Sequence, residues 1–163
     1  MKRPFFLLPL VVVAQFSGTS LWFAVNAVMQ TLQTFHPHAK AFMPTMTTAV
    51  QLGFVLGTLL YSYFSVADRF SPVRVFMISS MLAAGSNLAV LVGYRSLEGL
   101  FIARLGVGFF LAGVYPVGMK ICSDWYQTGL GKALGYLVGA LVLGTAFPYI
   151  LKSFSLTLPW EYV

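Results

Sequence analysis

The segment Ala67-Asp68-Arg69-Phe70-Ser71-Pro72-Val73-Arg74 interrupts two long apolar runs. Runs of about 20 apolar residues are long enough to cross a bilayer as helices. Charges between two such runs must stay outside the hydrocarbon, because burying them there costs several kcal/mol. The segment therefore predicts a tight turn at one membrane face. Composition points the same way. Of 163 residues, 58% are hydrophobic and 9% are charged, whereas a soluble domain carries about 25% charged residues. Mean hydropathy is +0.82. The chain reads as an all-α integral membrane protein.

The apolar runs predict five spanning helices, at about 5–28, 45–66, 73–92, 97–121 and 130–151. A transmembrane barrel would instead alternate apolar and polar residues over segments of about 10 residues. Met1-Lys2-Arg3 before an apolar run resembles a signal peptide. That run continues to about Val28, past the usual core of about 7–15 residues, so it predicts an uncleaved first span. With the N-terminus inside, Lys2, Arg3, Arg69, Arg74, Lys120 and Lys132 are cytoplasmic and Lys40, Arg95 and Lys152 are outside. The excess favours an N-in, multi-pass protein of the inner (plasma) membrane. The Gln30–Pro44 connection, with His36 and His38, then lies outside as an ordinary loop. The stretch from Leu156 through Pro159 to Trp160 and Tyr162 reads as the start of a sixth span, with proline in a first turn and aromatics at the interface. We expect a truncated N-terminal portion of a longer protein.

Several chemistries are disfavoured. The four acids, Asp68, Glu98, Asp124 and Glu161, all fall at predicted helix ends, and no nucleophile–base pair accompanies them. An enzyme is not expected. Cys122 has no cysteine to pair with, and with two histidines it does not complete a zinc set. The basic residues stand singly at helix ends, not in the clustered patch that nucleic acid requires. Neither a cofactor nor a metal is called for. The expected surroundings are the lipid bilayer and a small-molecule substrate.

Some polar residues lie inside the predicted spans. Arg104 sits about seven residues into the fourth, roughly 10 Å below the surface at 1.5 Å per residue. It must face the bundle interior or a wet cavity. It serves either as an interhelical anchor or in a substrate or coupling pathway. In the first span Gln15, Thr19, Trp22 and Asn26 are spaced four, three and four, and so share one face. That face lines a cavity or glues helices together. Tyr115 falls on nearly the same side of the fourth span as Arg104, and Pro116 predicts a kink there. Gln51 and Asn87 are weaker candidates. Gly53 and Gly57 share a face of the second span, as do Gly135 and Gly139 of the fifth, with Gly144 and Pro148 beyond. Such spacing lets helix backbones approach closely. Gly106 and Gly108 leave room beside Arg104. Asp68 and Asp124 are expected to pair with Arg69, Arg74 or Lys120 in a weak, breakable contact.

These residues together resemble the major facilitator superfamily of secondary transporters. The family's loop between its second and third helices reads G-x-L-A-D-R-x-G-R-R. Here Ala67-Asp68-Arg69 and Arg74 match, while Phe64 and Ser71 stand where the family has glycine. Arg104 and Gly108 match its R-x-x-x-G pattern. Gly135, Gly139, Gly144 and Pro148 are similar to its glycine-rich fifth helix, without a Gly-Pro pair. The resemblance implies two six-helix halves working by alternating access around a midplane site. The second half would be a missing C-terminal half or a second copy of this chain. It also implies that Asp68, Arg69, Arg74 and Asp124 form a cytoplasmic gate, and that Arg104 lies where coupling, to H+ for example, is placed. The alternative is a small non-transporting membrane protein, a structural or assembly partner that docks through its glycine faces.

Overall fold

The computed structural model describes residues 6–126, 128–154 and 159, and among these it is entirely helical. Eight helices appear in chain order: α1 Leu7–Ala27, α2 Met29–Thr34, α3 Phe42–Tyr63, α4 Val66–Arg69, α5 Pro72–Gly93, α6 Leu97–Leu111, α7 Tyr115–Trp125 and α8 Leu130–Phe154. They make five segments long and apolar enough to cross a membrane, with α1–α2 and α6–α7 each counting as one. The predicted number and order of spans hold. The expected approach to a sixth span lies, apart from Pro159, outside the described residues.

Several boundaries differ from expectation, each for a local reason. The first span does not end at Val28. It bends there and continues as α2 to Thr34, because Met29 and Leu32 bury against Phe42, Met46 and Leu100. Polar Gln30, Thr31 and Gln33 hide this continuation from a hydropathy reading. The expected Gln30–Pro44 connection thus shrinks to residues 35–41. Within it, His36 stacks on Phe42 at 5.4 Å, and its Nε2 lies 2.8 Å from the Tyr94 carbonyl oxygen, tying this loop to the end of α5. Pro44 falls in the first turn of α3, where its missing N–H costs nothing because first-turn donors have no helical acceptor. At the other end α3 stops at Tyr63, with Ser65 in the left-handed region at φ 49°. The turn to α5 is therefore not a bare loop but the one-turn helix α4.

The fourth span is the central post. Of its most apolar window 56% is buried, against 22–28% for the other four. On either side of it, α6 packs against α3 and α5, while α8 packs on α1. Glycine explains how closely these backbones meet. A Cβ on Gly53 would strike the Leu105 carbonyl oxygen, one on Gly57 that of Phe109, and one on Gly108 that of Val50. The α8–α1 contact rests on Gly144, whose Cβ would come 2.7 Å from the Phe16 carbonyl oxygen. Gly135 and Gly139 are a correction: a Cβ on either would meet nothing within 4 Å. They occupy the exposed side of α8, whereas Ala133, Leu137, Ala140, Gly144 and Pro148 fill the buried side.

Candidate functional site

One cavity of about 440 Å³, partly open, lies among α1, α3, the α6–α7 junction and α8. The polar stripe of α1 forms one wall, since Gln15, Thr19, Trp22 and Asn26 all line it. Helical periodicity puts these four on one face, and Gly18 on the same face allows close packing, with Val114 3.2 Å from where its Cβ would lie. Thr19 donates its hydroxyl to the Gln15 carbonyl oxygen at 2.9 Å and accepts from Gln15 Nε2 at 3.4 Å. Gln15 Oε1 remains buried without a partner. Trp22 meets Phe54 of α3 edge to face at 5.3 Å. Tyr115 lines the opposite side.

Tyr115 is carried there by a break in the fourth span. Pro116 has no N–H for the Ala112 carbonyl, and its ring disfavours the helical turn before it. Residues 112–114 accordingly form a turn, and α7 restarts at Tyr115 with the proline in its first turn. The kink expected at Pro116 is a full interruption. Val114, in that turn, joins Tyr115 in the cavity wall.

Arg104 is fully buried and sits behind this wall rather than on it. Its Nη1 donates to the Trp22 carbonyl oxygen at 3.0 Å and its Nη2 to Asn26 Oδ1 at 2.8 Å, while Nε has no partner. A cation from α6 therefore grips the C-terminal part of α1 through two residues of the cavity wall. A second cation grips the end of the same helix from α8, where Lys152 Nζ donates to the Ala27 carbonyl oxygen at 2.6 Å. That carbonyl sits at the C-terminal end of α1, where helix carbonyls lack intrahelical donors and cations are favoured.

On the face where the N-terminal end of α1 lies, Lys120 Nζ stands 2.9 Å from Asp68 Oδ1 and 3.8 Å from Asp124 Oδ1. Two acids of the expected gate thus converge on one lysine. Among the described residues Arg69 and Arg74 enter no ion pair, and both are exposed. Lys120, one of the three expected partners, is the one that is used: its spacing of four from Asp124 is legible along the chain, whereas its contact with Asp68 joins α4 to α7 only in three dimensions. Thr47, Gln51 and Phe54 were partly legible: their spacing of four and three marks one face of α3, as in α1. Leu141 and Thr145 of α8 carried no comparable signal. Asn87, in α5, lies away from the cavity with its Oδ1 buried and unpartnered.

Five apolar spans, four of them around a partly open cavity with polar and aromatic side chains in its wall, and a charged residue held inside the bundle, define a multi-pass membrane protein. The family model of the Major Facilitator Superfamily matches residues 7–163, and the chain belongs to that superfamily. Its members are transporters rather than enzymes. No curated protein and no solved structure matches the chain.

Proposed function

We propose that this bundle is the N-terminal half of a secondary active transporter in an inner (plasma) membrane, moving a small solute by alternating access. The observation that carries this reading is the cavity, which gathers the α1 stripe, Tyr115 and the Arg104-held turn of α1 deep among the spans. Superfamily membership supports it. In this reading Thr19, Trp22, Asn26 and Tyr115 contact solute, and Arg104 sustains the wall. Asp68 and Asp124 share Lys120 in a latch on the cytoplasmic face, with Arg69 and Arg74 beside it. Exposed ion pairs are weak, which suits a contact broken once per cycle. In the same reading a second half, supplied by further chain or by another copy, completes the cavity.

The test is accessibility. Single cysteines at Thr19 and Asn26, with Cys122→Ser to remove the native thiol, are exposed to a charged thiol reagent in right-side-out and inverted vesicles. Labelling from both sides is expected. Labelling from one side only, in every condition, would overturn alternating access. The docking alternative is separated by Arg104→Ala in the native membrane: loss of solute flux with assembly retained favours transport, and unchanged flux with lost assembly favours docking.

A further inference from the structure

We infer that Arg104 acts through Asn26, turning its amide so that the N–H donors face the cavity, and that the cavity consequently takes a solute bearing a carboxylate or another anionic oxygen. This deepens the transport reading and rests on it.

A guanidinium has five N–H donors and no acceptor. With Arg104 Nη2 at 2.8 Å, only the oxygen of the Asn26 amide can face it, since the flipped amide would set donor against donor. Nδ2 is thereby turned away. It bonds to no described residue, and it is not one of the polar atoms buried without a partner. Asn26 lines the cavity. Its N–H groups therefore open onto that space, and an incoming acceptor completes the amide. The cation on the far side polarises the amide, as chained hydrogen bonds do in a low-dielectric interior.

Charge selects the kind of acceptor. Among the described residues no carboxylate lies near enough to neutralise Arg104. Asp68 and Asp124 are paired with Lys120, and Glu98 is exposed in the first turn of α6. An arginine stays charged, so the cavity has a positive interior wall with Trp22 and Phe54 as its apolar flank. Because Arg104 is itself fully buried, it is a positioning residue and Asn26 is the contact.

The experiment uses the full chain in lipid nanodiscs with Trp125→Phe and Trp160→Phe, which leaves Trp22 as the sole tryptophan. Quenching of Trp22 fluorescence is titrated with 4-nitrobenzoate, neutral 4-nitrobenzamide and cationic 4-nitrobenzylamine. The benzoate should bind roughly 10- to 100-fold more tightly than the other two, the range of one charge-assisted hydrogen bond. Asn26→Asp, which keeps an oxygen on Arg104 and swaps the cavity-facing donor for an acceptor, should reverse the order in favour of the amine. Arg104→Met should reduce the benzoate to the level of the amide, and Arg104→Lys should restore part of the preference. Equal binding of the three probes, or an unchanged order in Asn26→Asp, overturns the inference while leaving the cavity a solute site. Quenching by none of them overturns both the inference and the transport reading.

Discussion

Among the described residues, Arg104 and Ser79 are the two buried polar residues whose side chains reach across helices, and they differ in what they hold. Arg104 donates twice to α1, whereas Ser79 of α5 shares one hydrogen bond with the Tyr61 hydroxyl at 2.8 Å. Interhelical hydrogen bonds in membranes average about 0.6 kcal/mol, because the unfolded chain in lipid also finds partners. Ser79→Ala should therefore cost about that much in a denaturant titration. Arg104→Met strands the Asn26 oxygen and should cost about 1–2 kcal/mol. If the two losses are equal, the two-pronged hold on α1 does not stabilise the bundle as the geometry implies. The helical period made Asn26 and Arg104 legible as candidates. Their pairing was not legible, because a separation of 78 positions along the chain carries no record of which faces meet.

Helices pack here by letting glycine replace side chains at backbone crossings. Gly53→Leu and Gly108→Leu should abolish the folded bundle, since each new side chain meets backbone of the neighbouring helix, which cannot move aside. Gly135→Leu and Gly139→Leu should leave the unfolding midpoint nearly unchanged, because both face open space. Failure of the second pair to express as a folded chain would place a partner on that side of α8. Gly53 and Gly57 have the same spacing in sequence as Gly135 and Gly139. What separates them is the rotation of each helix, set by its other contacts. A second element-level prediction concerns Ser65, which ends α3 at a left-handed φ of 49°. Such a conformation costs a residue with a Cβ about 1–2 kcal/mol, so Ser65→Gly should stabilise by about 0.5–1 kcal/mol after the added freedom of the unfolded chain is subtracted. A lower midpoint in the same titration would mean that the hydroxyl or the strain is needed there.

Across the whole molecule, charge divides the two faces. The described helix ends and loops carry Arg69, Arg74, Lys132 and the Asp68–Lys120–Asp124 cluster on one face, and Lys40, Arg95 and Glu98 on the other. Lys152 no longer counts as a free loop charge on that second face, since it reaches back into the bundle. The N-in orientation expected from the sequence predicts the side from which each face reacts. A cysteine at Phe70 should react with an impermeant maleimide only in inverted vesicles, and one at His38 only in right-side-out vesicles, with Cys122→Ser as background. The opposite pattern would reverse every assignment of cytoplasmic and external residues, the gate included.

Hydropathy alone determined the class of this protein, the number and order of its described spans, and the place of the charged turn. Each of those follows from the cost of putting charge or unpaired backbone into hydrocarbon, which is paid residue by residue along the chain. The continuation of the first span into α2, the outward turn of Gly135 and Gly139, the contact of Lys120 with Asp68, and the grip of Arg104 and Lys152 on the C-terminal part of α1 were decided only by tertiary structure. These depend on which helix faces meet. Lipid is as apolar as the side chains it surrounds, so hydropathy does not rank one apolar face over another, and close packing and interhelical hydrogen bonds make the choice.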